Sequence, residues 1–403
     1  MVAFCWSGSL TKMLVINPVD LHTQELQTNL KQATVVGSFT LFSDNEQLHL
    51  YNVLKEQTHY ISLSFHDTLH CCTFLPSLGR WLGSLPWLVQ LILTDTENIF
   101  IKPFEQFCAG LVSAQNLNLI DMSGTHMGSE GALILSNALL KMNVQTLRVD
   151  NNQIQTLGLS QLLRCNLHKL SVGNNNIHPD SWGPLLKRAP ATLKSLKLTE
   201  SQLHQGGIRA LSRFLLSTAL TRIDVRGNWL DRTNLTTFCA GLVNHTTVRS
   251  VGLQDCDISD QDTVIVARML RINTSITKLD FRLNPTEAPG MAILICALQE
   301  NYTIMALPCM PITVPIIGLG IPSLTQRLIA TPGETMTDHL FRLTLANRKL
   351  NLHESYWRPD HFYAYKTATC TIVCTLLLCF RNCRVRLPTE IQLLVLSHWY
   401  GVI

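Results

Sequence analysis

Aliphatic residues recur along this chain at a spacing that neither a lone helix nor a lone strand produces. In Val144, Leu147, Val149 and Ile154 they stand at slots 1, 4, 6 and 11 of an eleven-residue frame, with Asn152 at slot 9. The frame returns as Leu167, Leu170, Val172, Asn175, Ile177 and as Leu220, Ile223, Val225, Asn228, Leu230. Other copies keep the spacing but change slot 9, to Thr125 after Leu117, Ser201 after Leu193 and Cys256 after Val248. The Ile276 copy keeps Asn284 and carries Thr286 at slot 11. Weaker copies open at Tyr60, Leu88 and Ile304, so successive starts are separated by 23 to 29 residues. Val36 and Leu340 open candidate outer copies.

Slots 4 and 6 alternate with polar neighbours, which predicts a short strand with one apolar face. A polar side chain at slot 9 serves main-chain groups as the chain turns out of that strand. Between copies the apolar spacing becomes helical, over Gly131–Met142, Ile208–Ala219, Leu235–His245, Thr263–Asn273 and Gly290–Asn301. One strand and one helix cannot bury both their faces. Stacked copies can, as a parallel sheet backed by helices. The expected class is therefore α/β.

A step of 27 to 29 residues with a full helix per copy resembles the ribonuclease-inhibitor class of leucine-rich repeats, seen also in tropomodulin and the Ran GTPase-activating proteins. The resemblance covers residues 36–350. It implies a horseshoe solenoid, with parallel strands on the concave face and helices on the convex face. The class hosts many binders and fixes no chemistry. Residues 1–59 are expected to form an N-terminal cap with a degenerate first repeat at Val36. Residues 60–350 form the solenoid of ten to eleven repeats, irregular at 305–338, and residues 351–403 form a C-terminal cap and helical tail. Pro308 and Pro311 flank the Ile304 strand and cannot donate to a ladder, so the array bends or ends there. His339–Leu350 reads as a further strand and turn, and the 23-residue step after Val144 predicts a shortened helix near Leu157–Arg164.

Beyond Lys366 the chain changes character. Residues 367–380 read as a buried helix, and Pro388 with Glu390 suits the first turn of another. Leu387, Pro388, Glu390, Ile391, Val395 and Leu396 resemble the start of an F-box, L-P-x-E-[IL]-x-x-x-[IV]-L. That resemblance implies docking on the Skp adaptor of cullin–RING ubiquitin ligases. A terminal apolar helix packed on its predecessor accounts for the same residues. A repeat array with such a tail resembles secreted bacterial effectors of the Legionella kind, which implies the host cytosol as the place of action.

Composition narrows the reading. Hydrophobic residues make up 46% and charged residues 15%, which argues against long disordered tails. A net charge of +4 implies neither nucleic acid nor membrane without local clustering. The 13 cysteines are odd in number and no basic, apolar leader precedes them, so reduced thiols and a cytoplasmic location are expected. Thr367–Phe380 is too short to span a bilayer, and four prolines interrupt Met305–Leu324, so no membrane span is expected. The sequons at Asn234, Asn244, Asn273 and Asn301 read as products of the repeat.

Candidate chemistry is thin. His66, Asp67, His70, Cys71 and Cys72 cluster, but their spacing fits no zinc template. Cys370, Cys374, Cys379 and Cys383 read as small core thiols. No phosphate-binding, nucleophile-elbow, zinc-protease or dinucleotide motif appears, so no catalytic, cofactor or metal site is expected and the chain is not read as an enzyme. The concave positions instead carry Arg148, Lys169, Lys194, Lys197, Arg222, Arg226, Arg249, Lys278 and Arg282, against Asp121, Asp150, Glu200, Asp224, Asp255 and Asp280. This modest basic excess predicts an acidic protein partner; the alternative is that half of these cations pair with Asp224 and Asp280 across neighbouring strands and leave little net field. The scarcity of aromatics there argues against nucleic acid. The expected function is a non-enzymatic protein-interaction scaffold. The alternative is a cytoskeletal regulator of the tropomodulin type.

Overall fold

The computed structural model describes residues 2–6, 9–16, 35–40, 60–66, 75–95, 100–309 and 336–351. One compact unit spans Met1–Arg348. Of the second, Lys349–Ile403, only the end of one helix is described.

The first unit is built on a 12-stranded sheet whose strand order is the chain order. β1 (Val2–Trp6) and β2 (Ser9–Ile16) pair antiparallel. From β2 onward every pairing is parallel, through β3 (Val35–Thr40), β4 (Tyr60–His66) and β5 (Gln90–Thr94). Short strands follow: β6 (Leu119–Asp121), β7 (Thr146–Arg148), β8 (Lys169–Ser171), β9 (Ser195–Lys197), β10 (Arg222–Asp224), β11 (Ser250–Gly252) and β12 (Lys278–Asp280). The helices alternate with them: α1 (Leu75–Ser84), α2 (Ile101–Leu111), α3 (Gly128–Leu139), α4 (Thr156–Leu162), α5 (Trp182–Leu186), α6 (His204–Ser217), α7 (Arg232–Leu242), α8 (Thr263–Ile272) and α9 (Ala288–Glu300). The shortened helix expected after Val144 is α4; α5 is shorter still and follows a 3-10 turn at Pro179–Ser181.

Register explains the spacing. Leu63, Leu91, Ile120, Leu147, Leu170, Leu196, Ile223, Val251 and Leu279 stand opposite one another strand by strand. All are buried in one continuous core. Each such side chain contributes about 1.5–3 kcal/mol on burial. The arrangement is an α/β leucine-rich-repeat solenoid.

Two ladders of side-chain hydrogen bonds fix the turns. At slot 9, Asn228 Nδ2 donates to Leu198 O (2.7 Å) and Val225 O (2.8 Å), while Oδ1 accepts from the Ser201 (3.0 Å) and Leu203 (3.3 Å) amides. Asn152, Asn175 and Asn284 repeat this scheme, each bridging its own strand exit to the preceding repeat. Slot 8 adopts left-handed backbone at Gly124, Asn151, Asn174, Glu200, Gly227, Asp255 and Leu283. Gly, Asn and Asp suit that conformation and Leu does not.

The second ladder lies where helices return to strands. Asn273 Oδ1 accepts from the Ser275 and Ile276 amides, both at 2.8 Å, and Asn301 Oδ1 accepts from those of Thr303 and Ile304, both at 2.9 Å. His245 Nδ1 holds the same place one repeat earlier, accepting from Thr247 and Val248, both at 3.2 Å. Asn234, Asn273 and Asn301 are buried, so three of the four sequons are closed to solvent in this fold; Asn244 is exposed.

The Ile304 copy still meets the sheet. Ala306 bridges Lys278, and Pro308 O accepts from the Phe281 amide at 2.8 Å. A proline can accept where it cannot donate. The strand expected at His339–Leu350 is corrected: α10 runs Met336–Asn351. Among its described side chains Met336, His339, Leu340, Leu343, Thr344 and Asn347 are buried, a helical three-and-four spacing. Leu340, Leu343 and Leu345 alone fit slots 1, 4 and 6 of the repeat frame. Asn347 Nδ2 donates to Asn301 O (3.0 Å) and Ile304 O (2.7 Å), extending the second ladder from outside the array. The tail carrying Leu387, Pro388, Glu390, Ile391, Val395 and Leu396, its aromatic and cysteine residues, and Asp67, His70, Cys71 and Cys72 lie outside the described residues.

Candidate interaction surface on the open face of the sheet

Slots 4 and 6 turn inward, so slots 3, 5 and 7 of each strand face away from the core. The nine basic residues expected on this face divide by slot. Lys169, Arg222 and Lys278 open β8, β10 and β12; Arg148 and Lys197 end β7 and β9. Arg226 and Arg282 lie just past their strands. Lys194 and Arg249 precede β9 and β11 by one residue.

Several of these cations are tied down within the face. Arg148 Nη1 reaches Asp121 on the neighbouring strand at 3.2 Å. Asp224, only 2% exposed, takes Arg226 Nε at 3.0 Å and Arg222 Nη2 at 3.6 Å. Gly252 stands opposite Asp224, and a Cβ there would collide with its carboxylate. Asp280 is gripped in a fork by Arg282, through Nε at 2.9 Å and Nη2 at 2.7 Å. Burial alone would raise the Asp280 pKa; the Arg282 fork overcomes it and holds the carboxyl below its usual range. Arg249 Nη1 donates instead to the carbonyls of Thr246 (2.8 Å) and Ser275 (3.1 Å).

Desolvation marks the middle of the face. Burial, with the charge of Arg222, lowers the Lys197 pKa. Burial raises that of Asp150 against the Ser171 hydroxyl and Gly173 amide that bind it. Lys169, Lys194 and Lys278 form no ion pair with a described residue.

Two apolar residues at the margin escaped the sequence reading. Trp229 at slot 10 is 76% exposed, and Leu283 at slot 8 is 53% exposed. Slot 10 otherwise holds His126, Gln153, Asn176, Gln202, Asp257 and Pro285. A tryptophan in that polar column was therefore a visible anomaly, of the type that anchors interfaces.

Nothing in the described part resembles a reaction centre. No group of three His, Cys, Asp or Glu residues could hold a metal ion among the described residues. Burial pushes the Cys239 and Cys256 thiols up to about 12 and those of Cys165 and Cys309 up to about 11. Such thiols are poor nucleophiles. No helix among the described residues is long and apolar enough to cross a membrane.

The repeat, the parallel sheet and the ladders together define a leucine-rich-repeat protein. No protein-family model matches the chain. It is similar to human NACHT, LRR and PYD domains-containing protein 5, with 26% identity over 217 residues, covering 51% of this chain and 18% of the relative. It is also similar to mouse ribonuclease inhibitor, with 23% identity over 202 residues, covering 47% of this chain and 44% of the relative. The chain thus spans about a fifth of the length of the first of these curated relatives. Among solved structures, the leucine-rich-repeat protein LegL7 of Legionella pneumophila matches 83% of this chain and 98% of its own, at 14% identity and a TM-score of 0.48. Leucine-rich-repeat proteins act generally as protein-interaction scaffolds.

Proposed function

We propose that this chain is a non-enzymatic scaffold that binds a protein partner on the open face of β7–β12. The observation that carries this is the set of arginines held in place there. Arg148, Arg222, Arg226 and Arg282 are fixed by Asp121, Asp224 and Asp280 before any partner arrives. Side chains ordered in advance cost less entropy when a partner docks. Trp229 at the margin adds the large apolar surface that interface hot spots need. The test is affinity purification with the full chain and with Arg148→Glu, Arg282→Glu and Trp229→Ala combined. The partner should be lost from the triple variant and kept by Arg268→Glu, a change at an exposed position on α8. Equal recovery on the triple variant would remove the open face from the reading.

Recruitment of that partner to a ubiquitin ligase, in the host cytosol, is the finer proposal. Its support is the F-box-like sequence Leu387, Pro388, Glu390, Ile391, Val395 and Leu396. Skp-adaptor pull-down should succeed with the parent chain and fail with Leu387→Ala plus Pro388→Ala. Capture that survives the double change sinks the ligase half and leaves the scaffold intact.

A further inference from the structure

The open face is not electrically uniform across its width. At slots 2 and 3, the leading edge of each strand, Lys169, Lys194, Arg222, Arg249 and Lys278 place one cation in each of five consecutive repeats. No Asp or Glu occupies either slot in any copy from Leu88 to Ile304. Carboxylates gather at the trailing edge: Asp150 at slot 7, Asp95, Glu200 and Asp255 at slot 8, and Asp257 at slot 10. The trailing cations Arg226 and Arg282 are held by Asp224 and Asp280.

Register makes the five cations contiguous. Lys169 and Arg222 both stand opposite Ser195, and Arg222 and Lys278 both stand opposite Ser250. Lys194 and Arg249 immediately precede those two serines. At about 4.8 Å per strand the zigzag covers about 19 Å. Helix dipoles favour cations at helix C-termini, as for Arg271 in the last turn of α8. They do not account for cations on the sheet itself.

We propose that this leading edge binds an extended acidic segment of a protein partner, laid across β8–β12. The proposal rests on the scaffold reading and names the chemistry of its ligand. About six residues of extended chain span the stripe at about 3.3 Å each. Carboxylates along the segment meet Lys169 and Lys194, which form no ion pair with a described acid, and Lys278, which shares the field of Asp280 with the Arg282 fork; the trailing acids repel the segment from the opposite edge. Single-stranded nucleic acid fits less well. Slots 2, 3, 5 and 7 of the copies from Leu167 to Ile276 hold no Phe, Tyr or Trp on which bases could stack.

The test uses a fluorescein-labelled peptide of alternating Glu and Ser, about ten residues long so that it outreaches the stripe. Its anisotropy is followed on the full chain. Binding should weaken as salt rises from about 0.05 M to about 0.3 M. It should fall at least about tenfold in Lys169→Glu, Lys194→Glu, Lys278→Glu combined, and stay within about twofold in Asp255→Asn with Asp257→Asn. A Gln/Ser peptide should not bind. All five positions are on the surface, and a thermal melt checks the fold of each variant. The proposal falls if the Glu peptide does not bind, or binds the triple lysine variant as well as the parent. It also falls if an oligothymidylate binds tighter than the peptide and is lost with the same lysines. Loss of a captured partner by the Arg148, Arg282 and Trp229 variant, with no peptide binding, would keep the scaffold and remove the stripe. Peptide binding with partner capture unaffected by that variant would keep the stripe and remove Arg148, Arg282 and Trp229 from the partner's footprint.

Discussion

Replacing Asn228 with alanine tests how the array holds itself together. The side chain is 1% exposed and makes five hydrogen bonds to main chain, four of them buried and a fifth, part-buried one to Arg226 O. Of the buried four, two reach the carbonyls of Leu198 and Val225; two receive the amides of Ser201 and Leu203. Alanine removes these partners and leaves those groups buried between stacked repeats. At about 0.5–1.5 kcal/mol per bond, the loss should be about 4 kcal/mol for this one residue. The effect should cross the repeat boundary, since Ser201 and Leu203 belong to the preceding copy.

The assay is urea denaturation of the full chain, followed by circular dichroism, with hydrogen exchange at the Ser201 and Leu203 amides. Both amides should lose protection before the rest of the sheet, because repeat arrays open locally. Asn228→Ser and Asn228→Cys should fall between alanine and the parent, since Ser201 and Cys256 already fill this slot elsewhere. Cys256 Sγ approaches Val225 O at 3.4 Å, a weak form of the bond Asn makes. A loss below about 1 kcal/mol, with both amides as protected as before, would refute the ladder as the source of cohesion.

Three further outcomes follow from single residues. Burial, with the charge of Arg249, lowers the His245 pKa, and its neutral ring accepts the Thr247 and Val248 amides. A depressed folded value means that its stabilisation is complete above the unfolded value of about 6.5 and is lost as pH falls through the folded one. The melting temperature should therefore drop more steeply between about pH 7 and about pH 5 in the parent than in His245→Asn; parallel curves would refute this. Leu283→Asn should raise stability by about 0.5–1 kcal/mol by relieving left-handed backbone at an exposed site, and a lower denaturation midpoint would count against it. Cys239 and Cys256, raised to about 12, should react with an aromatic disulfide at about pH 8 only after unfolding; fast labelling of the native chain at either position would contradict their burial.

The spine was legible because nine slot-4 residues can share one buried row only if their spacing is kept. Helix ends were less so. The helix expected at Ile208–Ala219 runs His204–Ser217, because its start is set by left-handed backbone at Gln202 and His204 and not by apolar spacing. α10 differs from the strand expected there for another reason: Leu340, Leu343 and Leu345 fit slots 1, 4 and 6 of the frame, and only the polar residues His339 and Asn347, buried by tertiary contacts, decide for a helix. On the open face, residue identities and two of the acids that take arginines, Asp224 and Asp280, were legible, but the pairing expected for them across neighbouring strands runs along the strand instead. The pairs that form lie two residues apart along one strand and its exit, Arg222 and Arg226 on Asp224 and Arg282 on Asp280, where alternation already places them side by side.

The same frame explains why this fold says so little about its ligand and why the ligand can still be sought. Slots 1, 4, 6, 9 and 11 build the core and the ladder; slots 2, 3, 8 and 10 mostly meet solvent, and slots 5 and 7 are partly covered within the open face, as at Asp224. The two sets barely overlap, so one can change while the other holds. Lys169→Glu should therefore shift stability by less than about 0.5 kcal/mol, where Asn228→Ala costs about 4. Conversely, a charge pattern sustained over five repeats at slots 2 and 3 contributes nothing to the core. The strands from β2 onward all run one way, so a preference at one slot becomes a continuous stripe along one edge. That is why the segregation of lysines and arginines from carboxylates bears on recognition and not on folding.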